Sequence, residues 1–447
     1  MQKTDGKNLS ILLKGAAALL ILLALYLRLH AVLHTEVIAP VRADAADYYA
    51  YAYNLRYAGV YSAAKPWDQK YEIGALEADA VRSPGYPLFV APFVSGMPDR
   101  TTLTNIVVVQ ALISTLSVLI AYLLYRRFLA PPWALTAGLL TCLSPHLISM
   151  NVYILTESLF TFLLLLTLWL FTLYQSQERI TYVFLAGLML GAATLTRPSL
   201  QYFIAPMLIM IYLYLPAGHR SKAMITLSMG LLVLIGPWHI RNVMSTGEVS
   251  DSRLMVNFLH HGMYPDFQYR GQVESTGFPY RYDPDAAEIS KDIPSVLSAI
   301  EQEFARQPAR QLHWYLIGKP ETFWSWDIVQ GMGDVFVYEV QSSPYFGAPL
   351  FQGTHWLMKA IHYPIVVLGM LAAVLVWLPR WGVSIDGGVL FAARSVSLLL
   401  LYYTAMHMVG APFPRYSVPL QPFLFGMAVF CLVMLRAMWG RSAVERE

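Results

Sequence analysis

Charge is scarce in this sequence. Of its 447 residues, 13% are Asp, Glu, Lys or Arg, about half the ~25% of soluble domains. That shortage argues against a soluble enzyme, a disordered tail protein and a nucleic-acid binder alike. The net charge of +3 is too small to imply a polyanionic partner. Cysteine is nearly absent, and Cys142 and Cys431 both lie inside apolar runs. They read as small lipid-buried hydrophobes, not as a disulfide or a metal site. Walker loop, nucleotide-binding glycine fingerprint, Ser-His-Asp signature and zinc-helix motif are all missing. No internal repeat or low-complexity tract is visible.

What is abundant is apolar: 56% of residues are hydrophobic, and mean hydropathy is +0.47. Length alone would suggest roughly three soluble domains, but the long apolar runs point to an all-α polytopic membrane protein. About ten spans are expected, near 10–33, 103–127, 132–151, 156–174, 181–196, 199–216, 223–240, 357–378, 389–409 and 418–437. The fifth is short. The first lacks a convincing small-residue cleavage site, and Arg28 and His30 follow its apolar stretch, so it reads as an uncleaved span rather than a signal peptide. Lys3, Lys7, Lys14, Arg126–Arg127, His219–Lys222, Pro379-Arg380, Arg436 and Arg441 fall on one side if both termini are cytoplasmic, as the positive-inside rule requires. Two long polar segments, about 34–102 and 241–356, then lie outside the cytoplasm. The expected organisation is a membrane module over 1–240 with a catalytic first outer loop, a small outer α or α+β segment over 241–356, and terminal spans over 357–447.

The spans hold almost no acids, and ionisable groups gather at their outer ends, where charge is costly and usually has a job. Arg42-Ala-Asp44-Ala-Ala-Asp47-Tyr48-Tyr49-Ala-Tyr51-Ala52-Tyr53-Asn54-Leu55 has the apolar spacing of an amphipathic helix at the membrane surface, its tyrosines suited to the headgroup level. Asp44 and Asp47 have the spacing of a helix-capping pair. A carboxylate at a water–lipid boundary is also a good general base. Arg82-Ser-Pro84-Gly85-Tyr86-Pro87 is a rigid turn whose arginine would either snorkel to headgroups or grip a phosphate in forked geometry. Glu157, in Thr156-Glu157-Ser158, opens the fourth span. It either serves the helix N-terminus or points into the bundle.

Three more arginines stand at the outer surface: Arg197 before Pro198, Arg241 after Pro237-Trp238, and Arg415 before Tyr416 between Pro414 and Pro419. One such arginine is ordinary. Four, counting Arg82, oppose the cytoplasmic bias of basic residues and suggest an anion held at the outer interface, such as a lipid phosphate. His260 and His261 are adjacent and do not make a metal site by themselves. They are structural, or contacts to an acceptor.

In this order the motifs resemble the polyprenyl-phosphate-sugar glycosyltransferases of the GT-C superfamily. The family 39-like group, which includes protein O-mannosyltransferases and the lipid A aminoarabinose transferase, is the most similar. Asp44, Tyr48 and Ala52 match its Asp-x-x-x-Tyr-x-x-x-Ala pattern, and Ala45 stands where the group often has a second acid. The Arg82 turn, Leu155-Thr156-Glu157, Leu195-Thr-Arg197-Pro198, Pro237-Trp238-x-x-Arg241-Asn242 and Arg415-Tyr416-x-x-Pro419 match further segments.

The resemblance implies a GT-C bundle in a bacterial inner membrane, acting on the periplasmic side. It implies a polyprenyl (undecaprenyl) monophosphate sugar donor and inverting transfer to a lipid, glycan or protein hydroxyl. Asp44 would be the catalytic base. Arg82, Arg197, Arg415 and Arg241 would hold the phosphate, with Asp47, Glu157, Tyr48, Tyr86, Tyr416, His260 and His261 supporting or touching the acceptor. Membrane lipids are the other partners, and nucleic acid is not one. No cofactor is required, and metal dependence is left open. Three rivals remain: a ligase using a polyprenyl diphosphate oligosaccharide, a transporter or lipid flippase, and a non-catalytic scaffold displaying the outer segment.

Overall fold

Apolar length shapes the molecule, a computed structural model that describes residues 2–378 and 385–444. Pro379-Arg380, one of the basic pairs used for topology, lies outside the described residues. Among the described residues, seven helices are long and apolar enough to cross a membrane: Ile11–His34, Arg100–Tyr125, Glu157–Gln177, Ala217–Thr246, Pro349–Leu375, Gly387–Val409 and Pro414–Met438. The chain is therefore a multi-pass, almost wholly helical membrane protein.

The expected count of ten is not confirmed. All ten apolar segments form helix, but Ile180–Thr196 and Pro198–Tyr214 are short. At ~1.5 Å per residue, a helix of 17 residues spans about 26 Å, less than a ~30 Å hydrocarbon core. The expected span at 132–151 is broken into Pro131–Leu143 and Pro145–Val152, bent by 50°.

The break has a local cause and a distant remedy. Pro145 has no N–H, so carbonyls in the preceding turn lose their helical partner. Arg28, buried in the first helix, supplies one instead. Its guanidinium donates to the Thr141 and Cys142 carbonyls, each at 3.2 Å, and to Ser114 Oγ at 2.8 Å. One buried cation thus ties three helices together while meeting orphaned acceptors.

The short Ile180–Thr196 helix packs closely on Ala217–Thr246. A Cβ on Gly187 would stand 2.2 Å from the Leu227 carbonyl oxygen, and one on Gly230 would stand 2.3 Å from that of Phe184. Small residues spaced as Gly187 and Gly191 are what lets two membrane helices touch backbone to backbone.

The two long connections meet at one end of the bundle. Glu36–Val37 pairs antiparallel with Val340–Ser342, a ribbon that joins the first loop to the last part of the second. The rest of the second connection alternates short helices with irregular stretches, and Arg253–Gly262 and Ile293–Arg306 are its longest elements. It is seated on the 410–413 loop. Gly262 lies so near Gly410 that a Cβ would meet its carbonyl carbon at 2.4 Å, and Trp314 Nε1 donates to the Gly262 carbonyl at 2.9 Å.

Candidate active site

Four chain segments converge at that end. The first-loop helix Ala43–Ala58 begins without a side-chain cap, so Asp44 and Asp47 are not spent on its N-terminus. They are one turn apart and project from one face. Tyr48, Tyr49 and Tyr51 on this helix are covered by protein, not exposed on its surface.

Arg82 grips both acids. Its Nη2 lies 2.7 Å from Asp44 Oδ1 and 2.9 Å from Asp47 Oδ2, and its Nε donates to the same Asp47 oxygen at 3.2 Å. Lys65 Nζ reaches the other Asp47 oxygen at 3.3 Å. The second oxygen of Asp44 accepts from Arg415 Nη2 at 2.9 Å. Arg415 Nε donates to Glu157 Oε1, which also accepts from Arg197 Nη2 at 2.6 Å. Arg197 Nε donates to Thr156 Oγ1 at 2.8 Å. Cation and anion therefore alternate along one chain: Arg82, Asp44, Arg415, Glu157, Arg197.

Local sequence explains why these side chains are available. Arg197 precedes Pro198 and is extended (φ −142°, ψ 108°), as a pre-proline residue prefers. The helix stops there and the guanidinium turns toward Glu157. Glu157 occupies the first turn of its own helix and is 1% exposed. A buried carboxylate needs compensation, and two guanidiniums provide it.

Aromatic rings wall the cluster. Arg197 lies over Phe160 and Tyr416, at 5.5 and 5.0 Å from the ring centres. Arg82 lies 5.6 Å over Tyr48, and Tyr48 meets Tyr86 edge-on at 4.9 Å. The Tyr86 hydroxyl donates to Gln110 Oε1, and Gln110 Nε2 donates to the Asn151 and Tyr153 carbonyls. The buried Tyr338 hydroxyl has no hydrogen-bond partner among the described residues, and burial together with the Asp44 carboxylate pushes its pKa up.

Burial pushes the Asp44 carboxyl up, but Arg415 and Arg82 overcome that and hold it at about 2. Burial also opposes the charge on Arg82, yet Tyr48, Asp44 and Asp47 beside it raise its pKa. Among the described residues, no group of three or more His, Cys, Asp or Glu side chains is placed to hold a metal ion.

Two of the residues singled out from sequence stand elsewhere, and a third is set apart. Arg241 does not join the ion chain. It donates to the Asp79 and Tyr61 carbonyls at 2.7 and 3.1 Å and lies over Tyr61 and Trp238. Asp79 in turn accepts from Tyr51 and from the Ala63 and Val81 amides, and Tyr61 donates to the Arg82 carbonyl. Arg241 thus fastens the irregular segment that delivers Arg82.

His260 and His261 sit in the outer segment. His260 Nε2 is 2.7 Å from the Tyr264 hydroxyl, and His261 stacks on Tyr280 at 3.9 Å. Burial lowers the pKa of both, so neither adds positive charge at neutral pH. Sequence patterns missed Lys65, Asp79 and Tyr338. Each lies in an irregular stretch with no periodicity to mark it.

Residues 86–240 match the family described as dolichyl-phosphate-mannose-protein mannosyltransferase. The archaeal oligosaccharyltransferase AglB from Archaeoglobus fulgidus, solved with an inhibitory peptide and a dolichol-phosphate, superposes with a TM-score of 0.51 at 12% identity. The superposition covers 97% of this chain and 52% of that one. The chain shares the fold of that archaeal membrane enzyme, and about a third of it carries the family match.

Its length is about half that of the archaeal protein. ArnT from Cupriavidus metallidurans, bound to undecaprenyl phosphate, shares 14% identity over 95% of this chain and 78% of its own, with a TM-score of 0.39. The Saccharomyces cerevisiae protein O-mannosyltransferase Pmt1-Pmt2 complex, bound to its sugar donor, shares 14% over 60% and 37%, with a TM-score of 0.40. No curated protein sequence is significantly similar to the chain. The family match includes Tyr86, Glu157, Arg197 and Trp238. Asp44, Arg82 and Arg415 lie outside the matched stretch.

Proposed function

We propose that this protein transfers a sugar from a polyprenyl monophosphate, undecaprenyl phosphate in a bacterium, to an acceptor hydroxyl at the outer face of the membrane. The ion chain carries the proposal. Arg82, Arg197, Arg415 and Lys65 face Asp44, Asp47 and Glu157. Four cations against three carboxylates leave one positive charge. A sugar phosphodiester carries one negative charge and balances it, whereas a diphosphate would overshoot. That balance favours the monophosphate donor over a diphosphate ligase substrate.

The donor phosphate takes the place of the Asp44 carboxylate on Arg82 and Arg415. Asp44, released from both guanidiniums yet still enclosed, becomes a stronger base. One of its oxygens accepts the proton of the acceptor hydroxyl as that oxygen attacks the anomeric carbon. The bond from anomeric carbon to phosphate oxygen breaks on the opposite face, so the configuration inverts. The electron pair leaves with the phosphate. Its second negative charge forms beside Arg82 and Arg415, while protonation removes the charge of Asp44, so the cavity's net charge does not change.

Glu157 and Thr156 fix Arg415 and Arg197, Tyr48 and Tyr416 face the guanidinium planes of Arg82 and Arg197, and Tyr86 supports Tyr48. Arg241 acts at one remove, through the backbone that carries Arg82. The scheme places charge neutralisation on guanidinium groups and asks for no metal. An outer-face location is supported by the far end of the bundle, where Arg126–Arg127 and His219–Lys222 stand.

The test is Asp44→Asn in purified, membrane-inserted protein, supplied with polyprenyl monophosphate or diphosphate sugar. Transfer should fall by about 10²–10⁴-fold, and only the monophosphate should be used by the parent protein. Near-full activity of the variant removes Asp44 as the base. Preference for the diphosphate overturns the charge argument.

A further inference from the structure

A cleft of about 980 Å³ opens in the outer segment, at the top of the ~300–1,000 Å³ range of small-ligand sites. Its floor is formed by Tyr264, Tyr269 and Gln311, all buried. One wall is the helix Ile293–Arg306, which presents Ser295, Ser298, Ala299 and Gln302 on a single face. Asp285, Glu288 and Arg310 stand exposed along the rim.

Gln311 is 2% exposed, and its Oε1 has no hydrogen-bond partner among the described residues. A buried acceptor without a donor is uncommon and costly. Gln311 lines the cleft, and a small turn of its amide would offer this unmet acceptor to a ligand donor. Beside it, the Tyr264 hydroxyl donates to Asp283 Oδ2 at 2.7 Å, which aims a carboxylate into the same space.

The turn beneath the floor is also held in an unusual backbone form. Asp266, Phe267 and Arg270 are left-handed, with φ of 60°, 54° and 49°. Such residues persist where surrounding packing over-determines them. Phe267 stacks on Phe413 at 5.2 Å and 15°, two residues before Arg415. The turn that carries the floor residues Tyr264 and Tyr269 is therefore packed, through Phe267, on the loop that delivers a member of the ion chain.

The lining selects a ligand class. Asp283, Asp285, Glu288 and Glu303 are nearly matched by Arg270, Arg306 and Arg310, and Arg306 and Arg310 are already paired with Glu303 and Asp266. A strongly charged ligand gains little there. Carboxylates and the amides of Gln268, Gln302 and Gln307 offer acceptors and donors side by side, which is what a row of sugar hydroxyls needs. No strand edge lines the cleft among the described residues, so an extended peptide would find no backbone to pair with.

We propose that this cleft binds a neutral oligosaccharide, the acceptor glycan of the reaction. Its role as acceptor rests on the glycosyl-transfer proposal above, but its binding does not. The experiment uses the full chain in lipid nanodiscs, probed with immobilised short linear oligomers of glucose, mannose, galactose and N-acetylglucosamine, and with a peptide library in parallel. At least one saccharide series should be retained. Ser298→Trp, an exposed position that would fill the cleft, and Gln311→Leu should each weaken it by about tenfold or more.

Gln311→Leu should not lower the unfolding temperature, because it removes an unmet acceptor. Asp44→Asn should bind the saccharide normally. Absence of saccharide binding, equal binding by both cleft variants, or retention of peptides alone overturns the proposal. Lost saccharide binding with an inactive Asp44→Asn removes the cleft and spares the catalytic scheme. Intact saccharide binding with an active Asp44→Asn does the reverse.

Discussion

If the donor phosphate displaces Asp44 from its guanidiniums, the pH dependence of the reaction must split. In the free protein, Arg415 and Arg82 hold Asp44 at about 2, against an ordinary 3.8. That difference is worth about 2 kcal/mol at ~1.36 kcal/mol per pH unit, so donor binding must outweigh it. Once the phosphate occupies both arginines, burial is the main influence left on Asp44, and burial raises a carboxyl above ~4. The acid limb of kcat/KM for donor, which reports the free protein, should therefore lie near pH 2. The limb of kcat, which reports the donor complex, should lie above about 4.

Stability sets the usable window. The folded-state pKa of Asp44 is below its unfolded value, so the stabilisation from its ion pairs is complete above about pH 4 and lost as pH falls toward 2. Rates are best read from about pH 4 upward with a short-chain polyprenyl phosphate sugar in detergent. There kcat should decline on acidification while kcat/KM for donor stays flat. Coincident limbs, or a kcat limb on the acid side of the other, would refute the exchange of phosphate for carboxylate.

Three further outcomes follow from the same contacts. Arg82→Glu should raise the apparent KM for donor by about 10-fold or more, since it removes a charged hydrogen-bonding partner worth ~1.5–3 kcal/mol. An unchanged KM takes Arg82 out of the phosphate site. Glu157→Gln leaves Arg197 and Arg415 undercompensated in a buried place, and unfolding free energy should fall by about 3 kcal/mol, the low end for a broken buried pair because Arg415 keeps Asp44. Denaturant titration in detergent checks this, and a neutral effect would mean that Glu157 does not compensate the two arginines. Gly187→Ala drives a methyl into the Leu227 carbonyl and should cost about 1–3 kcal/mol. Unchanged thermal unfolding would show that the two helices separate freely.

Hydropathy alone marked every apolar helix of the chain, because crossing a bilayer demands a run of apolar residues whatever its neighbours are. It marked the fifth run as short, but it did not foresee the break at Pro145 or the short helix Pro198–Tyr214. The bend at Pro145 is tolerable only because Arg28 reaches the carbonyls it orphans, and the short helix after it depends on glycines meeting another helix. Those are facts of packing between distant segments.

The candidate site divides in the same way. Arginines beside proline at helix ends were legible as exceptions to the usual placement of basic residues, and Asp44 and Glu157 as acids where acids are rare. Position along the chain could not distinguish Arg415 from Arg241. Folding brings Arg415 to Asp44 across 371 residues and turns Arg241 onto the Asp79 and Tyr61 carbonyls. The kinds of residue at each membrane boundary follow from the cost of burying charge, which is a property of the local segment. Which cation meets which carboxylate is a matter of a few ångströms between helices, and only their packing decides it.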